Sequence, residues 1–280
     1  MRLGVVMTGV GAHAAAGIGV MRELQKRGVE PYAVCGLHAG AWPAALFAAG
    51  LGMQSMEKAL HQAAGMGRKM IAPMWYERLG FVGNGIPGGL RLNRLLALQT
   101  GQRILSLCPG AAVFPCRMIR TGQRVLFSTR AYMPDPGPML SMQASACFAA
   151  RAAMGLSPFL APLEYMGSAL MGETDVAFSC RQLMLLGAQR VLVIAPVPPV
   201  GRVPDALDLC ASVIRFAGER PLGGDVGVLR VTMPEGALSL SRLEACALAG
   251  EKAASQELDM LFDCMGMAHC RVLAFRKRSV

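Results

Sequence analysis

Short apolar runs alternate with amphipathic stretches from the first residues of the chain, and that rhythm predicts the layout. Leu3–Met7 (LGVVM) is a continuous apolar run that ends in the glycine-containing segment 8–13, as a fully buried strand would. Over residues 14–27 the period lengthens. Ile18, Met21 and Leu24 fall on one helical face, Arg22, Glu23, Lys26 and Arg27 lie elsewhere, and Gly28 supplies a stop. Residues 32–35 (YAVC) read as a second buried strand. They lead through Gly36-Leu37-His38-Ala39-Gly40 into a strongly apolar helix at about 41–49. Strand, helix, strand and helix joined by tight connections predict an α/β fold with parallel strands between helical layers.

The middle third is less periodic. Residues 80–89 hold five glycines and a proline and read as a loop, followed by a short helix over 93–98. Residues 113–119 and 124–129 alternate on either side of Thr121-Gly122-Gln123, which predicts a hairpin. A loop is expected at 134–138, a helix of small residues at 143–154 and an extended segment at 157–162. Then come a helix over 175–186 stopped by Gly187, a buried strand at 190–195 (RVLVIA), a helix near 205–218, a strand over Val226–Thr232, a helix over 241–262 and a last strand at 271–275. No repeat or linker interrupts the series. The expectation is one domain, 1–280, with its core in 1–200 and further helices and a strand in 201–280.

Composition narrows the class. The chain has 280 residues, 53% hydrophobic and 16% charged, with a mean hydropathy of +0.40, which excludes a disordered polymer. The longest apolar run, residues 39–53, contains Pro43 and three glycines and is too short for a membrane helix. The first eleven residues carry one arginine and are broken by Gly4, Gly9 and Gly11, unlike a signal peptide. Nine cysteines without CxxC pairs fit reduced thiols, so a cytoplasmic location is expected, with peripheral attachment to a membrane as an extension of it. Residues 68–151 hold eleven cations against Glu77 and Asp135, which leaves 17 cations and 16 anions for the rest of the chain. A basic cluster of this kind attracts anionic surfaces, and an anionic membrane is the expected partner. No nucleic-acid-binding module accompanies the charge, so nucleic acid is not expected. A solvated basic face with no partner is the plain alternative.

Two segments carry candidate chemistry. Gly9-Val10-Gly11-Ala12-His13 lies between a strand and a helix N-terminus, where backbone N–H groups meet the positive end of the helix dipole. Gly36-Leu37-His38-Ala39-Gly40 is a sharp strand-to-helix turn whose outer glycines tolerate the strain of projecting one side chain. The stretch TGVGAHAAAGIGVMRELQKRGVEPYAVCGLHAGAWPAALFAAG resembles the opening of patatin-like phospholipases, a GGGxRG loop followed by the nucleophile elbow GxSxG. FPCRMIRTGQRVLFSTR resembles that family's central hairpin, QASACFAARAAMGLSPFLAP its A-S-x-A-x-P-x-x-F-x-P segment, and residues 169–187 with RVLVIAP the region of its catalytic DG[GA].

The resemblance implies a three-layer α/β/α fold with a mostly parallel sheet, an oxyanion hole at Gly9, Val10, Gly11, Ala12 and His13, and elbow glycines at Gly36 and Gly40. It also implies a serine nucleophile and an aspartate base. His38 occupies the serine position, and Met171 in Leu170-Met171-Gly172-Glu173 aligns with the aspartate. Both are expected to be catalytically inactive, with Glu173 as candidate surrogate acid and Asp175 as the N-cap of the following helix. The reading that results is a catalytically degenerate patatin-like protein with a lipid- or acyl-binding or regulatory role. Two alternatives stand beside it: an acyl-ester hydrolase with a rearranged site using His38 as nucleophile, and a basic module for anionic membranes. No cofactor and no metal are expected, since His13 and His38 alone make a poor ligand set.

Overall fold

The structure is a computed structural model that describes residues 1–67, 89–134, 137–155, 160, 162–198, 225–234 and 239–267. In chain order the strands are β1 (Leu3–Met7), β2 (Ala33–Gly36), β3 (Ala112–Met118), β4 (Arg124–Ser128), β5 (Met139–Ser141), β6 (Leu163–Tyr165), β7 (Ser168–Gly172), β8 (Arg190–Val197) and β9 (Val226–Thr232). The helices are α1 (Ala15–Lys26), α2 (Ala41–Ala48), α3 (Met53–Met66), α4 (Gly89–Thr100), α5 (Ala146–Ala153), α6 (Val176–Leu185) and α7 (Leu243–Cys264). Of the loop expected at 80–89, Gly89 instead opens α4, and the rest lies outside the described residues, as do the helix at 205–218, the strand at 271–275, Arg68, Lys69, Arg78, Ser157 and His269.

The strands join in the order β5-β4-β3-β2-β1-β8-β9. Strand β1 is parallel to both β2 and β8, so these three buried runs are neighbours at the centre of the sheet. The β2–β3, β8–β9 and β4–β5 pairs are parallel too, whereas β3–β4, β3–β7 and β6–β7 are antiparallel. Alternate residues of the central strands feed two cores, as a sheet covered on both faces requires. Val5, Met7, Val34, Phe114 and Phe127 pack beneath α1, α2, α5 and α7, whereas Val6, Ala33, Cys35, Leu37, Val113 and Leu126 pack on Phe178, Cys180 and Leu183 of α6. This is the expected three-layer α/β/α arrangement.

The hairpin, β9 and the helix stop at Gly187 fall where the sequence put them. Four elements do not. Helix α3 carries its buried face on Met56, Ala59, Leu60 and Ala63, spaced at helical intervals among polar residues that obscure the pattern. The short strands β5, β6 and β7 owe their conformation to pairing rather than to their own propensity. The C-terminal residues that are described belong to the same layers: β9 extends the sheet, and α7 crosses α1 so closely that a Cβ on Gly19 would lie 1.8 Å from the Ala247 carbonyl oxygen.

Candidate functional site

Strand β2 ends at Gly36, Leu37 remains extended, and His38 then turns into the left-handed region at φ +50° before one 3₁₀ turn leads into α2. A β-carbon at φ > 0 is strained, and that strain is the backbone signature of a nucleophile elbow. The turn is fixed by Leu37 N–H to the Met7 carbonyl (2.9 Å), Ala39 N–H to the Gly9 carbonyl (3.0 Å) and Gly40 N–H to the Leu37 carbonyl (2.9 Å). Gly36 and Gly40 are required sterically. A Cβ on Gly36 would sit 2.5 Å from the Ala41 α-carbon, and one on Gly40 would sit 2.1 Å from the Met7 carbonyl oxygen.

The glycine-rich loop lies directly against this turn. Gly9 (φ +131°) and Gly11 (φ +58°) flank an extended Val10, and a 3₁₀ turn over Gly11–Ala14, which contains Ala12 and His13, runs into α1. A hydrogen bond from Thr8 Oγ1 to the Ile194 carbonyl (2.8 Å) ties the start of the loop to β8. The loop and the elbow are therefore brought together as the resemblance implies. The amide that follows His38, Ala39 N–H, is itself engaged by the Gly9 carbonyl, which ties the elbow to the loop.

The His38 side chain is 6% exposed, and its Nδ1 has no hydrogen-bond partner among the described residues. Burial lowers the imidazole pKa to about 4 against the opposing pull of the Glu173 charge, so the ring is neutral at pH 7.

Strand β7 meets the elbow because of how β3 is shared. On one edge β3 pairs with β4 from Val113 to Arg117. On the other edge Ala112 and Val113 pair with β2, and Cys116 to Met118 pair with β7 running the opposite way. The carboxyl ends of β2 and β7 thus point at each other beside β3. Gly172 is the residue that results next to His38, for a Cβ there would lie 3.5 Å from the imidazole Nδ1 and 2.0 Å from the Ala153 carbonyl oxygen. Successive strand residues face opposite ways, so Met171, opposite Arg117 in the ladder, projects away from His38.

Glu173 is 2% exposed and fully engaged. Its carboxylate accepts from Arg117 Nη2 (2.9 Å), Arg124 Nε (2.7 Å), and the backbone N–H groups of Thr174 (2.9 Å) and Asp175 (3.2 Å). Burial pushes its pKa up, but the arginines and amides outweigh burial and hold it below the ordinary carboxylate value. Asp175 caps α6, accepting from Phe178 N–H (2.9 Å), and pairs with Arg124 Nη2 at 3.1 Å. The elbow and the glycine loop are thus assembled, while Met171 lies on the far face of β7 and Glu173, just past its end, is engaged by arginines and amides. Sequence reasoning missed Gly172 and the two arginines. The hairpin register held the clue to the latter, since a turn at 121–123 sets Arg117 opposite Arg124 and two adjacent cations call for a buried acid.

The basic segment is partly spent on the fold. Arg117 and Arg124 bind the two acids, Arg130 donates to the carbonyls of Cys108, Pro109 and Thr129, and Arg151 is buried, whereas Arg94, Arg103 and Arg120 are exposed. His61 is exposed and meets Glu244 at 2.7 Å. Among the described residues no helix is long and apolar enough to cross a membrane, and no group of three or more His, Cys, Asp or Glu is placed to hold a metal ion.

No family model and no curated protein matches the sequence. Solved structures do. VipD from Legionella pneumophila is 13% identical with a TM-score of 0.50, over 93% of this chain and 67% of VipD. The type III effector ExoU is 13% identical with a TM-score of 0.41, over 92% of this chain and 53% of ExoU. The ExoU–SpcU complex from the type III secretion system of Pseudomonas aeruginosa matches at 13% identity and a TM-score of 0.41, over 94% of this chain and 52% of that one. The chain therefore spans about half the length of ExoU. The likeness to VipD concerns the fold, which is the patatin-like α/β/α arrangement.

Proposed function

We propose that this chain is a patatin-like protein without acyl-transfer chemistry, which acts by binding: it holds a lipid or acyl chain, or serves as a regulatory partner, on a retained hydrolase scaffold. The observation that carries this reading is the combination at the elbow. A neutral, buried imidazole occupies the projecting position, Gly172 lies beside it, and Glu173, whose charge reaches it, is saturated by arginines and amides. Acyl transfer in this fold needs an oxygen nucleophile and a base to take its proton. Losing members of such a unit costs several orders of magnitude in rate, about 10³-fold or more. In this reading the protein works in the cytoplasm and meets membranes only peripherally.

A fluorophosphonate probe tests the proposal. The expected result is no labelling under conditions that label an active patatin, and no turnover of p-nitrophenyl acyl esters. Stoichiometric labelling mapped by mass spectrometry to a serine overturns it. The strained φ of His38 favours one second reading, a hydrolase that uses the imidazole as nucleophile. Labelling at His38, with ester turnover that disappears in His38→Ala, establishes that reading instead.

A further inference from the structure

Helix α4 and the loop after it present a surface unlike any other among the described residues. One face of α4 is buried through Leu92, Leu95, Leu96 and Thr100. The opposite ridge carries Leu90, Arg94 and Leu98 at i, i+4 and i+8, all exposed, with Leu98 at 70%. The chain then adds Arg103, Ile104 (41% exposed) and Leu107 (73% exposed). Four of the twelve exposed large hydrophobic side chains that the described residues show fall within 90–107. No Asp or Glu occurs anywhere from 89 to 134, where the chain has seven arginines.

From this combination we infer that the exposed ridge of α4, with the loop through Leu107, docks on an anionic lipid bilayer. Separated leucines with no acid among them and guanidinium groups between them complement an interface of hydrocarbon under anionic headgroups. Long arginine side chains fit it because their stems lie along apolar surface while the charge stays at headgroup level. The position suits the rest of the molecule. Gln99, next to Leu98, accepts from Trp42 Nε1 at 2.9 Å, and Trp42 belongs to the first turn of the helix that starts at the elbow. The inference rests on the lipid-binding reading above, but not on the absence of hydrolysis.

Co-sedimentation of the full chain with vesicles of phosphatidylcholine mixed with phosphatidylglycerol, against pure phosphatidylcholine, tests it. Binding should require the anionic lipid and weaken with salt. Leu98→Asp combined with Leu107→Asp should lower the partition coefficient about ten-fold or more, and Arg94→Glu about five-fold or more. Leu248→Asp, at an equally exposed leucine of α7, should leave it unchanged, and thermal melts of each variant show that it folds. No binding by the unaltered chain overturns the inference, as does equal loss in Leu248→Asp. An oligomer that Leu98→Asp converts to monomers overturns it too, by giving the ridge to a second copy. Binding of a soluble fluorescent fatty acid, measured on the same proteins, separates failure of the docking face from failure of the lipid-binding reading.

Discussion

Acidification should reveal the buried imidazole through stability. In the unfolded chain His38 titrates near 6.5, and in the folded protein burial lowers that value to about 4. Between these pH values the unfolded state binds a proton that the native state refuses. The contribution is therefore complete above pH 6.5, declines as pH falls, and is gone once pH has passed through the folded value. Each unit of separation is worth about 1.4 kcal/mol, so the loss from this residue alone is on the order of 3 kcal/mol. His38→Gln keeps a polar side chain of similar reach but does not titrate, and Glu173 titrates in both proteins. The difference between the two stability curves thus isolates the imidazole. Urea unfolding at several pH values from neutral to about 4 measures it directly. The reasoning fails if the unaltered chain and His38→Gln lose equal stability on acidification. It fails equally if NMR titration of the imidazole gives an ordinary histidine value, because the ring would then be solvated rather than packed against Gly172.

Three further outcomes follow from the same geometry. Glu173→Gln should cost about 2 kcal/mol, since Arg117 and Arg124 lose their shared anion but at 37% and 29% exposure are partly screened; because the folded pKa of Glu173 is depressed, the deficit should be full above the ordinary glutamate range and shrink as pH falls through the folded value, and a pH-independent deficit would count against the ion network. Gly40→Ala should cost about 3 kcal/mol in a chemical melt because its Cβ meets the Met7 carbonyl at 2.1 Å, whereas Gly52→Ala, with nothing within 4 Å, should change little. His38→Ser combined with Met171→Asp should remain silent toward p-nitrophenyl esters, since position 171 faces away from the elbow; turnover in the double variant that is missing from His38→Ser alone would put residue 171 in the cleft.

Much of the architecture was legible because it is local. Buried parallel strands read as continuous apolar runs, and β1 and β9 coincide with theirs to the residue. The elbow, the glycine loop and the Asp175 cap were legible for the same reason, each being set by residues within a few positions of one another. The β7 side of the site was not. Aligning Met171 with the family's aspartate depends on counting along the chain, but which of residues 171–173 faces the elbow depends on pairing with β3, a long-range register that single-sequence periodicity does not encode. Helix α3 and strands β5–β7 were hidden likewise, since their ordering comes from tertiary contacts.

The glycines of the elbow bear on function less than they first suggest. Gly36 and Gly40 are each held by backbone packing, against the Ala41 α-carbon and the Met7 carbonyl respectively, and that demand persists whether or not the turn carries a nucleophile. Their presence reports the fold. The side chains on either side of the cleft bear on the chemistry. His38 lies beside a residue with no side chain, and a Cβ at position 172 would be in ordinary contact with its Nδ1 at 3.5 Å. The same space cannot be given back to a carboxylate by changing position 172 alone, for that Cβ would also lie 2.0 Å from the Ala153 carbonyl on α5. A large group on the elbow, no group on β7 and a helix backbone closing the gap form one packed unit. A carboxylate side chain at position 172 would therefore require α5 to move away from β7, a change in packing between layers rather than the exchange of one side chain.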